Sequence, residues 1–327
     1  MPAPPAPVPG AAQRTLRAVP LLRSLLIKGS ESAALARLVR DRAFARRAVR
    51  RFMPGETLDA ALDAAAGQAA LGIATTLTYL GEQVTDAANT AAVARHYLEA
   101  LDRVRARALP CEFSLKLTHL GLDLGRDVCV EMLERICRRA GETGTFVWID
   151  MEGTPHTDAT LDVFRTVRAR HPQLGLCVQA YLRRTPADVE TLIPLGAALR
   201  IVKGAYREPR ALVFRTKRDV ADAFERLGAR LLAPDARRAG VRAVFGTHDV
   251  RLLERLRARA RALGLAEDAF ECHMLYGIRT AEQRRLAAEG VPVRVLISYG
   301  ESWFAWYMRR LAERPANLWF VVKSVFA

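Results

Sequence analysis

Short apolar runs rich in β-branched and aromatic residues recur along the chain and predict strands. They begin near Ile73, Glu112, Thr145, Leu174, Ala198, Val241, Ala269 and Val291. The stretches between them carry apolar residues at helical spacing, which predicts helices over residues 86–108, 126–140, 157–170, 186–193, 219–232, 250–263 and 280–289. Strands and helices therefore alternate, a pattern typical of βα units around a parallel sheet.

Eight such units favour an α/β fold of the (βα)8-barrel type over residues 69–327, with residues 299–311 as the last helix. An open doubly wound sheet is the alternative. No G-x-G-x-x-G follows a predicted strand, so a Rossmann site would lack its usual sequence. Ahead of the barrel we predict a disordered leader over residues 1–14 and N-terminal helices that form a basic arm over residues 15–68.

The formal net charge of +15 is concentrated near the N-terminus, where residues 1–51 carry eleven Lys and Arg side chains against two acidic ones. Such an arm could bind nucleic acid or lie on an anionic membrane. Phe44 and Phe52 form no ladder of aromatic residues, so nucleic acid is not the expected partner. Five cysteines without a C-x-x-C pair, and no signal peptide or membrane span, predict a cytoplasmic protein, with peripheral contact at the inner face of the membrane as an open alternative.

Polar residues follow or end most of the predicted strands, where a barrel of this type places its active site. They are Lys116, Thr118, Asp150, Gln179, Arg200, Lys203, Tyr206, Thr247, His248, Asp249 and His273, and the nonpolar Met151, Gly204 and Ala205 lie beside them in the sequence. Each alone has an ordinary structural explanation. Together they would need mutual pairing or a charged ligand, because buried charges are costly when they are left uncompensated.

The predicted last helix carries Arg309 and Arg310, followed by Glu313. Their spacing suits a surface ion pair. It also suits a clamp for a carboxylate, since a guanidinium offers two parallel N–H donors that match both carboxylate oxygens. Spacing alone leaves both interpretations open.

Eight collinear blocks between residues 75 and 317 resemble the proline dehydrogenase family. They are TTLTYLGEQVTD, SLKLTHLGLDLG, VWIDME, VQAYLRRT, RIVKGAYREP, GTHD, FECHMLYGIR and VRVLISYGESWFAWYMRRLAERPAN. The resemblance implies a flavin-binding barrel that oxidises L-proline to Δ1-pyrroline-5-carboxylate. It implies FAD as the cofactor, hydride transfer from C5 of proline to flavin N5, and a quinone as electron acceptor.

The resemblance also implies a role for each matching residue. Asp150 and Arg200 match active-site positions, and the proline-binding positions are Lys116, Tyr206, Arg309 and Arg310, with Glu313 as the acidic partner of the two arginines. The positions implied to bind FAD are Met151, Gln179, Arg200, Lys203, Gly204, Ala205, Thr247, His248 and His273.

Three positions depart from the family's usual residues. Trp306 and Leu296 stand where tyrosines are common, and His273 stands where glutamine is common. These departures concern the shape of the pocket. They leave open a related secondary amine such as hydroxyproline as the substrate, and a barrel that binds its ligands without turnover.

Overall fold

The computed structural model describes residues 49–81 and 84–304. The chain divides into two compact units, residues 1–51 with 301–327, and residues 52–300. The second unit holds the barrel. The predicted leader, most of the basic arm and the predicted last helix beyond residue 304 lie outside the described residues, and the domain boundaries stay a prediction.

Eight parallel strands within the described residues close into a barrel in sequence order, with β8 paired to β1. This confirms the predicted (βα)8 fold. The strands are β1 Ala74–Tyr79, β2 Cys111–Leu115, β3 Val147–Ile149, β4 Leu174–Gln179, β5 Ala198–Val202, β6 Ala243–Gly246, β7 Glu271–Leu275 and β8 Val293–Tyr299.

One of the helices named below precedes β1, and at least one helix follows each strand from β1 to β7. Those in the described part of the chain are α1 Leu58–Ala69, α2 Ala87–Ala106, α3 Arg126–Thr143, α4 Thr157–Arg168, α5 Thr185–Leu192, α6 Lys217–Leu231, α7 Pro234–Arg238, α8 Val250–Ala262 and α9 Thr280–Ala288. Thr57, Asp86, Thr216 and Asp249 cap the starts of α1, α2, α6 and α8, because each side chain accepts a hydrogen bond from a backbone amide of the first turn.

The apolar core lies between the strands and the surrounding helices. Successive strand residues face opposite sides, so one set packs against the helices and the other fills the interior of the barrel. On β2, Phe113 faces outward to Tyr97 of α2, while Glu112 and Ser114 face inward. Polar residues within otherwise apolar strands therefore mark the interior.

Candidate active site

A buried ion pair occupies the upper interior of the barrel, at the carboxyl ends of the strands. Nη2 of Arg200 donates to Oδ1 of Asp150 at 2.5 Å and to Oγ of Ser114 at 2.7 Å. Ser114 in turn donates to the same Asp150 oxygen at 2.9 Å. The Arg200 side chain is only 3% exposed, whereas that of Asp150 is 24% exposed. The structure thus brings together the two residues predicted as catalytic.

The electrostatic balance of this pair keeps the guanidinium charged. Burial alone lowers the pKa of Arg200, but the neighbouring Asp150 carboxylate raises it, and the net pKa lies above the ordinary value. Nη1 of Arg200 is buried and has no hydrogen-bond partner among the described residues. A buried donor of this kind calls for an acceptor, which a ligand in the barrel mouth can supply.

Gln179, the last residue of β4, presents a second incompletely bonded group. Its Nε2 donates to the backbone oxygen of Met151 at 3.1 Å, and this bond fixes which way the amide points. Its Oε1 is buried without a partner in the described part of the chain. Gln179 and Arg200 therefore offer an acceptor and a donor at the same end of the barrel, as a polar heterocyclic ligand would require.

The segment after β5 is held close to the barrel by a glycine and an ion pair. Gly204 has a φ of +105°, and a Cβ there would lie 2.2 Å from the Tyr181 ring, so only glycine fits. Nζ of Lys203 lies 2.7 Å from Oδ2 of Asp249. Burial raises the pKa of Asp249, but the hydrogen bond and charge of Lys203 lower it more, and the net pKa is below the ordinary value.

Glu208 ties the same segment to its neighbours. Its carboxylate accepts from the backbone amide of Thr154 at 2.9 Å, from the Thr154 hydroxyl and, at 3.4 Å, from the Tyr181 hydroxyl. Tyr206, two residues earlier, is half-buried, and Ala205 is exposed. The loops after β3, β4 and β5 are thereby joined at one edge of the barrel mouth.

The segment after β6 carries the predicted Thr247 and His248. Thr247 is buried, and its Oγ1 accepts from the backbone amide of Asp249 at 3.2 Å. Nε2 of His248 accepts from the backbone amide of Leu275 at 2.9 Å, which requires that Nε2 carry no proton and assigns the proton of a neutral ring to Nδ1.

On the opposite side of the barrel, Lys116 follows β2 directly and is half-buried. Its position continues the inward-facing series of Glu112 and Ser114.

His273 lies lower in the barrel. Its ring packs edge-on against Trp148 with centroids 5.6 Å apart, and its Nε2 is 3.4 Å from Oε2 of Glu271. Burial lowers the pKa of His273 to about 4, and the nearby charge of Arg200 acts in the same direction, so the ring is neutral at pH 7. The predicted contact of His273 with FAD stays a prediction.

Below His273 lies a cluster of four charged residues that the sequence interpretation missed. We call it the lower ionic layer, and it consists of Glu112, Arg242, Glu271 and Arg294. Arg242 donates to Glu271 at 2.5 Å and to Glu112 at 2.7 Å, and Arg294 lies 3.1 Å from Glu112. The detectable signal was a charged residue at an inward position of an apolar strand, as in CEFSL and VRVLISY.

The predicted clamp residues Arg309, Arg310 and Glu313 lie outside the described residues, as does Trp306. Within the described residues, no group of His, Cys, Asp or Glu side chains could hold a metal ion. In that same part of the chain, no helix has the length and apolar character needed to cross a membrane.

A closed (βα)8 barrel with a buried ion pair and unsatisfied polar groups at the carboxyl ends of its strands has the architecture in which barrel enzymes place their active sites. The family model described as Proline dehydrogenase matches residues 61–323. The chain belongs to the proline dehydrogenase family, which confirms the expected family and the expected oxidoreductase activity.

Curated relatives and solved structures agree with this assignment. The chain is 35% identical over 276 residues to Proline dehydrogenase 1 of Bacillus subtilis (strain 168), a match that covers 84% of this chain and 90% of the relative. It is 34% identical over 312 residues to Proline dehydrogenase of Deinococcus radiodurans, covering 93% and 98%. Proline utilization A from Bdellovibrio bacteriovorus, inactivated by N-propargylglycine, has a TM-score of 0.78 at 21% identity. That match covers 92% of this chain and 37% of the longer protein, and at this identity it supports the fold alone.

Proposed function

We propose that this protein oxidises L-proline to Δ1-pyrroline-5-carboxylate with FAD as its cofactor. The observation that carries the proposal is the buried Asp150–Arg200 pair, which lies at the barrel mouth of a member of the proline dehydrogenase family and leaves Nη1 of Arg200 without a partner among the described residues. The reaction removes a hydride from C5 of proline while the amine lone pair forms the C=N bond.

The residues at the mouth fit a flavin. A bound flavin would supply the two-electron acceptor that amino-acid side chains lack. Nη1 of Arg200 would donate to the flavin, and Oε1 of Gln179 would accept from it. Both atoms lack a partner among the described residues and would gain one. The positive charge of Arg200 would stabilise negative charge that develops during reduction. We assign Met151, Lys203, Gly204, Ala205, Thr247, His248 and His273 to the same cofactor site by family position.

The substrate carboxylate would be held by cations on elements other than β5. We assign this role to Lys116, Arg309 and Arg310, with Glu313 orienting the arginines and Tyr206 closing over the ring. A bidentate guanidinium–carboxylate pair fixes one end of proline and so determines which carbon faces the cofactor. Half-burial of Lys116 and Tyr206 is compatible with side chains that a small ligand covers on binding.

A quinone as electron acceptor is part of the same proposal. The basic arm would bring the protein to an anionic membrane, whose apolar interior dissolves quinones. Vesicles that contain anionic lipid should therefore bind the full chain more tightly than neutral vesicles, with an affinity that falls as salt is added. Equal binding to both vesicle types would contradict the membrane part of the proposal and leave the proline chemistry unaffected.

A second candidate substrate is 4-hydroxyproline. Leu296 is half-buried on the inner face of β8, where its strand position pairs with Thr76 of β1. The hydroxyls of Thr76 and Ser298 are buried on the same face without partners among the described residues. A ring hydroxyl could bond to them, because an unpaired buried hydroxyl gains from any partner.

The test is the visible spectrum of the purified protein followed by anaerobic addition of amines. We expect a flavin band that L-proline bleaches and D-proline does not. Arg200→Met should slow bleaching strongly, whereas Arg183→Met, which changes an exposed arginine over the Phe214 ring, should not. A kcat/KM for trans-4-hydroxy-L-proline above that for L-proline would favour the second candidate. Protein that takes up no FAD would refute the proposal.

A further inference from the structure

Arg200 rests on an aromatic side chain that the proposed chemistry does not use. The centre of its guanidinium lies 5.0 Å from the centroid of the Trp148 ring, within the range of a cation–π contact. Asp150 and Ser114 both accept from Nη2, at one end of the guanidinium, and Nη1 at the other end has no hydrogen-bond partner among the described residues. The indole packs against the guanidinium itself and adds a contact that is separate from the hydrogen bonds at Nη2.

Trp148 is itself held in place. Its Nε1 donates to Oε2 of Glu112 at 2.6 Å, while Oε1 of Glu112 accepts from Arg242 and lies 3.1 Å from Nη2 of Arg294. The side chain is fully buried, and a Cβ at Gly175 would lie 2.7 Å from its ring. Glycine at 175 thus provides the space in which the indole lies, and Glu112 fixes its edge.

We propose that Trp148, anchored by Glu112, is a positioning residue that fixes the Arg200 guanidinium at the barrel mouth and thereby sets the charge that a bound flavin experiences. The inference rests on the proposed function, in which Arg200 faces the cofactor. Trp148 acts through Arg200 and contacts neither the substrate nor the reacting atoms. Its loss should therefore affect the chemical step and the cofactor's reduction potential more than the binding of proline.

The experiment compares three holoenzyme variants with the wild type. Trp148→Leu removes the ring, and Trp148→Phe keeps a flat ring but loses the bond to Glu112. The control is Phe113→Leu, since Phe113 is also fully buried but faces outward from β2 toward Tyr97. Each protein is measured for kcat and KM with L-proline, for the midpoint potential of its flavin and for thermal stability.

For Trp148→Leu we expect kcat to fall about tenfold, because a misplaced charged group near the reacting centre costs rate steeply, with KM within about twofold. Reduced flavin should be stabilised about tenfold less, which corresponds to a midpoint potential about 30 mV more negative. Trp148→Phe should shift both values in the same direction by less. Phe113→Leu should lose stability while kcat and potential stay at wild-type values.

Wild-type kcat and potential in Trp148→Leu would overturn the inference, as would an equal shift in Phe113→Leu, which would indicate general loosening of the barrel. If Trp148→Leu does not fold, Trp148→Phe decides, and an unshifted potential there overturns the inference. Failure of the proposed function is seen separately. In that case the wild type itself takes up no FAD or is not reduced by L-proline, and the inference falls with it.

Discussion

Removing one member of the Asp150–Arg200 pair should destabilise the protein measurably. Asp150→Ala leaves the guanidinium, which is only 3% exposed, without its carboxylate, and the Ser114 hydroxyl still accepts from Nη2. Breaking a fully buried pair costs about 3–5 kcal/mol, because the remaining charge stays buried without compensation. The Asp150 side chain is 24% exposed, so water can partly replace it. We therefore expect the free energy of unfolding to fall by about 2–3 kcal/mol.

The assay is equilibrium urea unfolding of the holoenzyme at a fixed FAD concentration, corrected for the FAD affinity of each variant. Asp150→Asn keeps an oxygen acceptor and should lose less than Asp150→Ala. Asp158→Ala is the matched control, because Asp158 pairs with Arg184 at 2.6 Å on the surface and its side chain is 82% exposed. That variant should lose under about 1 kcal/mol.

The comparison between the two alanine variants decides the matter. Equal losses in Asp150→Ala and Asp158→Ala would show that the buried pair contributes no more than a surface pair, and the electrostatic reasoning would be refuted. A loss confined to Asp150→Ala would support it. The kcat/KM for L-proline should fall only in the Asp150 variants.

Three further predictions concern separate parts of the site. Gly204→Ala should lower the melting temperature and the FAD affinity, since its Cβ would meet the Tyr181 ring at 2.2 Å; a wild-type melting curve would contradict this. Buried His273, with its pKa lowered to about 4, binds its proton less readily when folded than when unfolded. Acidification from pH 6.5 to 4 should therefore lower the unfolding free energy, by roughly 2–3 kcal/mol from this group, and His273→Gln should show a shallower pH dependence in urea titrations. Arg309→Met should raise KM for L-proline at least tenfold with FAD still bound, because a bidentate carboxylate contact is lost; unchanged proline kinetics would remove Arg309 from the clamp.

The fold could be predicted because its elements carry local signals. The predicted run IATTLTYL corresponds to β1 at Ala74–Tyr79, and the predicted helix over 250–263 to α8 at Val250–Ala262. The spacing of apolar residues indicates which side of an element is buried. Where strand spacing alternates with helical spacing along the chain, the pattern indicates βα units. Both patterns can be seen within a window of about ten to fifteen residues, so a single sequence is enough to recognise them.

The site was predicted less completely, because its contacts join distant segments. Asp150 and Arg200 were singled out by family position, but their bond spans 50 residues and depends on closure of the barrel. Ser114, which bonds to both, was not predicted, because an inward serine on an apolar strand gives no signal of its own. The lower ionic layer was missed for the same reason, since the Arg242–Glu112 bond spans 130 residues.

The charge balance of the barrel interior bears on where a substrate carboxylate can bind. In the lower ionic layer two glutamates face two arginines, and in the layer above it Asp150 faces Arg200, so each set is neutral. A carboxylate placed against Arg200 would compete with Asp150 for the same guanidinium and would leave one of two acids poorly compensated. The net positive charge that an amino-acid carboxylate requires must therefore come from cations beyond these sets. In our proposal these cations are Lys116, directly after β2, and the Arg309–Arg310 pair. Our proposal therefore places Arg200 at the cofactor and the substrate carboxylate at the cations that follow β2 and β8 in the sequence.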